Sequence, residues 1–351
     1  MFPVFMVFAN ASSRAVSHAF KPKSLDLEWL FAILVFCIAI GFRQEVGGDW
    51  GSYQIYLNTA RYMTVSEALQ RSDPGYWLIN VYSAQLDMGI VGVNLFCGFV
   101  FSAAVVAFSL RLPKPWLAIT AAIPYLVIVV GMGYARQSTA LGFAMLGLVA
   151  LSERKVKLFV FWIVLGSLFH KTAVLLIPIA ALVSSKNRIT TVVISLLALA
   201  IAYKVLVEEE VEAYLTTYVD TTIQSSGAFI RLAMNALPAL IFLRYRRKLF
   251  VNQAERDLWT IVSWLSLAMF LAFFITSRST ALDRLALYFI PIQLFVASHL
   301  PYVIGGKGLK PSANVELAVV LFYAFVLLVW LNFATHATYW LPYRLAVTSF
   351  D

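Results

Sequence analysis

Apolar runs of roughly 15 to 25 residues, parted by short polar breaks, recur from one end of the chain to the other. None alternates with the period of two that marks a barrel strand, and each has the length of a membrane-crossing helix. Clear spans are predicted over Leu27–Phe42, Gly92–Leu110, Trp116–Val130, Gln137–Leu151, Ile189–Val205, Phe229–Leu243, Leu258–Ile275, Leu285–Ile304 and Val315–Ala334. The block Val156–Val183 is too long for one ordinary span and carries His170 and Lys171 near its middle. It reads as two short helices meeting at Phe169-His170-Lys171, with His170 at the tip of a hairpin. Arg43–Asp73 is polar, Tyr76–Ile90 is only moderately apolar, and Phe2–Phe20 reads equally as a short span or an amphipathic helix. The pattern predicts an all-α polytopic membrane protein of about eleven or twelve transmembrane helices.

Composition narrows this further. Of 351 residues, 61% are hydrophobic and 13% charged, where a soluble domain carries about 25% charged residues. No polar stretch is long enough to fold separately, so residues 1–351 read as a single transmembrane domain. The net charge of +9 is explained by topology and not by nucleic acid, because Lys and Arg collect in cytoplasmic loops. With Lys21 and Lys23 inside, the inner segments hold roughly 16 Lys/Arg against about 6 acids, and the outer ones roughly 10 against about 12. This parity requires that Tyr76–Ile90 not cross and instead form a re-entrant or interfacial helix on the outer face. Cys37 and Cys97 lie in apolar runs and read as core thiols. Met1–Ala9 lacks the basic flank of a cleavable signal.

That topology gathers the polar exceptions on one face. Charge at the end of or within a span is costly and marks function by default. Arg43-Gln44-Glu45-Val46-Gly47-Gly48-Asp49-Trp50-Gly51-Ser52-Tyr53 closes the first clear span, its glycines permitting a tight turn that displays Asp49 and Tyr53. Arg136 and Gln137 open a helix whose free N–H groups and dipole suit an anion, and the Arg fork suits phosphate oxygens. His170 beside Lys171 is expected to be neutral and able to accept a proton. Arg278, Asp283, Arg284 and Tyr288 form a second cationic cluster, with Arg284 and Tyr288 on one helical face and Asp283 orienting Arg284 or acting as a base. Each feature has a plainer reading: a snorkelling arginine, a headgroup anchor, a hydrogen-bonded structural histidine. His18, His299 and His336 lack the spacing of zinc ligands, and no Walker, dinucleotide, Gly-x-Ser-x-Gly or Asp-x-Asp motif is present.

Taken together, Arg43…Val46-Gly47-Gly48-Asp49-Trp50…Tyr53, Asp73-Pro74-Gly75-Tyr76, Tyr134-Ala135-Arg136-Gln137, Phe169-His170-Lys171, Asp283-Arg284…Tyr288 and Tyr339-Trp340-Leu341-Pro342-Tyr343 resemble the EpsG family, a branch of the Wzy-type polysaccharide polymerases. Asp73 stands where Glu is common in the family. The resemblance implies a GT-C-like glycosyltransferase of the bacterial inner membrane, with its active site facing the periplasm. It would join oligosaccharide repeat units carried on undecaprenyl diphosphate, for exopolysaccharide, capsule or O-antigen. The reaction would need no metal or cofactor and would invert the anomeric centre. A chain-length regulator is an expected partner, besides membrane lipid. The residues are expected to divide as follows: Arg136, Gln137, Lys171 and Arg284 on diphosphate; His170 first and Asp49 second as base; Arg43, Tyr53, Asp73, Arg278, Asp283 and Tyr288 on substrate. The rival readings are a flippase for the lipid-linked sugar, which predicts midplane polar residues and an internal repeat, and an O-antigen-ligase-like transferase using the same donor.

Overall fold

The computed structural model describes residues 5–9, 11, 25–184, 189, 193, 196–197, 200, 227–249, 251–275, 279–306 and 310–346. It is all-α, with one two-residue strand pair among the described residues. Among the described residues, four helices are long and apolar enough to cross a membrane: Gly89–Leu110, Ala228–Tyr245, Leu282–Val303 and Ala313–Phe333. Shorter apolar helices cover most of the other predicted spans, while Ile189–Val205 and Phe2–Phe20 fall largely outside the described residues.

Helix α1 (Leu27–Gly41) shows why these segments belong in lipid. Trp29, Ala32, Ile33, Phe36 and Ile40 are buried at helical spacing. On its other side Leu27, Leu30, Phe31, Leu34 and Ile38 are exposed. A helix that is apolar all round is at home only in a core or a bilayer. After it come α2 (Trp50–Ala60), α3 (Val65–Leu69), α4 (Pro74–Gln85) and α5 (Gly89–Leu110). The polar Arg43–Asp73 stretch is therefore not a bare loop but carries two helices. Helix α4, with 12 residues, reaches about 18 Å at 1.5 Å per residue, too short to span the roughly 30 Å hydrocarbon layer.

At the centre lies α6 (Pro115–Ala122), in which every residue but Trp116 is buried. It runs directly into a π-helical segment, Ile123–Gly131. Pro124 has no N–H to give the carbonyl four residues back, and the widened ladder follows from there. Helix α7 (Ala135–Ser152) begins after a short break, and α8 (Val156–Ser167) returns against it. The long Val156–Val183 block is interrupted at residues 168–170, then continues as a 3-10 turn (Lys171–Leu176) and α9 (Ile177–Ser184). Next come α10 (Ala228–Tyr245), α11 (Gln253–Ala272), α12 (Ser279–Ala286), a 3-10 turn (Leu287–Phe289), α13 (Pro291–Val303) and α14 (Ala313–Phe333).

The bundle has two distinct poles. At one, ion pairs link helix ends: Arg111 with Glu153 (2.6 Å), Lys155 with Glu153 (2.6 Å), Arg154 with Asp257 (3.5 Å), and buried Lys114 with Glu316. At the other, the C-terminal segment folds back over the end of α1. Strand β1 (Arg43–Gln44) pairs antiparallel with β2 (Arg344–Leu345). The Gly47 N–H donates to the Tyr339 carbonyl at 2.8 Å, the Trp340 indole N–H to the Ile128 carbonyl of the π-helix at 2.9 Å, and the Tyr343 hydroxyl to the Ala39 carbonyl at 2.6 Å. The aromatic C-terminal motif therefore locks the glycine loop to the π-helix.

Candidate functional site

At this second pole lies a cavity of about 170 Å³, lined by Asp49, Tyr53, Tyr125, Tyr134, Arg136, Gln137, His170, Asp283, Arg284 and Leu287. Its walls come from the glycine loop and α2, the π-helix, the start of α7, the break after α8, and α12 with the turn that follows.

Arg136 sits in the first turn of α7, where backbone N–H groups lack helical partners. Its guanidinium donates to Asp73 Oδ2 at 3.1 Å and lies 4.9 Å from the Tyr56 ring and 5.9 Å from the Tyr76 ring. Asp73 is 4% exposed and does not reach the cavity wall. It holds a left-handed backbone (φ 57°) ahead of Pro74, which starts α4. Its Oδ1 accepts the Lys171 N–H at 2.9 Å, and the next turn is tied down by Gly75 N–H donating to the Leu168 carbonyl at 2.8 Å. A side chain at Gly75 would meet Leu168 and Phe169 at 3.0 to 3.2 Å, so this close approach needs glycine. Asp73 thus couples Arg136 to the break that carries His170. Contact with substrate was expected of it, and it stands off the cavity wall.

His170 is 13% exposed in its side chain, with Nδ1 3.9 Å from Asp73 Oδ2 and without a hydrogen-bond partner. Burial first, and then the charges of Arg136, Arg284 and Lys171, push its pKa down to about 3. The sequence pointed to neighbouring charge as the cause, but burial outweighs it. Asp49 accepts a long hydrogen bond from the Tyr53 hydroxyl, 3.4 Å. Burial raises its carboxyl above the ordinary range, opposed by Arg284 and then Arg136.

Arg284 and Asp283 stand on α12, whose last carbonyls need partners from outside the helix. Gln137 Nε2 donates to the Arg284 carbonyl at 2.6 Å, and Asn235 Nδ2 donates to that of Ala286 at 2.8 Å. Gln137, expected on diphosphate, therefore spends its amide on fixing Arg284. Asp283 does not orient Arg284. Arg231 of α10 clamps it instead, Nε and one terminal nitrogen donating to its two oxygens at 2.5 Å each. The Tyr288 hydroxyl is shared with Thr172 at 3.1 Å, and that tyrosine is not on the cavity wall. Lys171 contributes its backbone N–H and a charge near Asp73, and its side chain does not line the cavity.

Arg43 is the largest departure. Expected on substrate, it is fully buried behind the cavity, giving Nη1 to the Ile40 carbonyl at 2.7 Å and Nε to that of Val46 at 3.3 Å. It caps α1 and shapes the glycine loop. Arg278 lies outside the described residues. Arg231, Tyr125 and Leu287 escaped the sequence reading. Arg231 carried a signal, a lone cation inside the apolar run Phe229–Leu243. Tyr125 carried none, being one aromatic among many in a buried helix.

Fold and cavity together define a polytopic α-helical membrane protein with a charged cavity at one pole. Residues 27–345, nearly the whole chain, match the model of the EpsG family. The chain belongs to that family, which makes it a membrane protein of polysaccharide-polymerase type. Neither the curated proteins nor the solved structures contain a match to it.

Proposed function

We propose that the protein is an inner-membrane polysaccharide polymerase that joins oligosaccharide repeat units carried on undecaprenyl diphosphate, with the cavity opening toward the periplasm. The observation that carries this reading is that Arg136, Arg284, Asp49 and His170, distant in sequence, line one cavity. The ion-pair pole carries most of the basic loops, and by the positive-inside rule it faces the cytoplasm. The opposite pole then meets lipid-linked sugar outside.

The leaving group of the transfer is a lipid diphosphate, so negative charge builds on its oxygens. Arg136 and Arg284 face that charge, and cations already placed at the cavity wall lower the barrier. Arg284 has no ion-pair partner among the described residues, whereas Arg136 is steadied by Asp73. The acceptor hydroxyl oxygen attacks the anomeric carbon as the bond to diphosphate breaks, and its proton passes to His170, with Asp49 as the alternative acceptor. One displacement inverts that carbon. Bound diphosphate would offset the charges of Arg136 and Arg284 that depress His170, so substrate would itself strengthen the base.

The test is a reconstituted reaction on lipid-linked repeat units. Arg284→Ala and His170→Ala are each expected to lower the rate about 100-fold or more, and a ladder of products distinguishes polymerisation from single transfer by a ligase. Wild-type rates in both variants would overturn the assignment.

A further inference from the structure

Three residues that line the cavity, Asp283, Tyr125 and Tyr134, have no part in the transfer chemistry. Tyr125 lies within electrostatic reach of Arg231, Asp283 and Tyr134, and Tyr134 within reach of Arg231, Asp49, Asp283 and Arg284. His170, by contrast, sits among Arg136, Arg284 and Lys171. The cavity is therefore graded from the Arg136–His170 end to the Asp283–Tyr125–Tyr134 end, with Arg284 and Asp49 facing both.

The Arg231 fork already pairs with Asp283 through both carboxylate oxygens, so this pair offers no net positive charge to hold a phosphate, while carboxylate oxygens accept hydrogen bonds. It suits a neutral ligand rich in O–H donors. Two tyrosine rings add apolar faces and hydroxyls that both donate and accept, a combination matched by a sugar ring with its C–H face and its hydroxyl rim. The fork is rigidly mounted: Asn235, one turn after Arg231 on α10, holds the Ala286 carbonyl and takes a hydrogen bond from Gln293 at 2.8 Å.

We propose that Asp283, Tyr125 and Tyr134 form a subsite for a neutral saccharide ring of the lipid-linked substrate, with Arg231 as its positioning residue. This rests on the polymerase reading above and divides the cavity into a diphosphate end and a sugar end.

Two probes separate the ends: undecaprenyl diphosphate without sugar, and the oligosaccharide released by mild acid from the lipid-linked unit that accumulates in a deletion strain. Binding of each to the purified full chain in micelles is measured by ligand-observed NMR. Asp283→Asn is expected to weaken the oligosaccharide at least tenfold while leaving undecaprenyl diphosphate within twofold, and Arg284→Ala to do the reverse. Because a lone Arg231 charge could unfold the site, the double variant Arg231→Gln/Asp283→Asn, which removes both charges, is expected to repeat the Asp283→Asn result. Tyr134→Phe is expected to weaken the oligosaccharide alone, by a few-fold. Undiminished oligosaccharide binding in both Asp283 variants, or parallel loss of both probes, overturns the subsite and leaves the pair a structural clamp. Wild-type binding of undecaprenyl diphosphate without oligosaccharide overturns the subsite alone. Failure of the wild type to bind either probe overturns the polymerase reading with it.

Discussion

His170 shows how much a single side chain owes to its surroundings. Its folded pKa near 3 lies below the value of about 6.5 for a free histidine. Between those values the unfolded chain binds a proton that the folded one refuses, so stability contributed at neutral pH is lost as pH falls from about 6.5 toward 3. The slope attributable to His170 approaches about 1.4 kcal/mol per pH unit. His170→Gln is expected to flatten it, seen as a smaller fall in detergent melting temperature below pH 6.5 than in wild type. Asp49 and Asp73 are shifted upward and work with the opposite sign, so the difference between variant and wild type, not either profile alone, isolates the histidine. Arg43 makes the complementary point. The same charge that marked it as a ligand is buried against one helix-end carbonyl, that of Ile40, and one loop carbonyl, that of Val46, because a buried arginine needs such partners.

At the scale of elements, the glycine loop and the turn that follows the π-helix are built for each other. Gly47 has φ 104°, and a Cβ there would meet the Met132 carbonyl at 2.7 Å and Gly133 Cα at 3.0 Å. Gly51, four residues on in α2, has nothing within 4 Å. Gly47→Ala is therefore expected to cost about 1–3 kcal/mol and most of the activity, because the loop that holds Asp49 must move. Gly51→Ala is expected to be neutral or stabilising by up to about 1 kcal/mol, since alanine favours the helix. Thermal melting and the polymerisation rate of the two variants check this together. A similar fit joins Gly133 to Trp340, where a Cβ would come within 2.4 Å of the indole. The C-terminal aromatic motif is a packed strap in its Trp340 and Tyr343, with Tyr339 left exposed.

The whole molecule separates its charges by pole, and orientation follows from which pole faces out. With Cys37 and Cys97 replaced by Ala, a cysteine at Tyr62, 90% exposed near the cavity pole, is expected to react with a membrane-impermeant thiol reagent added to intact spheroplasts. A cysteine at Lys155, 59% exposed at the ion-pair pole, is expected to react only after the membrane is opened. The reverse pattern would turn the cavity toward the cytoplasm. The exposed apolar rows, Leu317, Leu321, Phe325 and Leu328 on α14 among them, are the surface left for lipid, because water would not tolerate so large an apolar face.

The amino-acid sequence by itself determined that this is an all-α membrane protein, because length and apolarity of a helix are local properties that a bilayer selects directly. It also located the break at Phe169-His170-Lys171, and the polar residues worth suspecting, because a charge beside an apolar run is costly wherever the run ends up. Tertiary structure alone decided what those charges do. Asp73 meets Arg136 across 63 residues, Arg231 meets Asp283 across 52, and Gln137 meets the Arg284 carbonyl across 147. No local pattern encodes such pairings; they are set by which helix ends the packing brings together and which unsatisfied groups it leaves there. That is why Arg43 and Asp73 stand off the cavity wall, while Tyr125 lines the cavity and Arg231 clamps Asp283 on it.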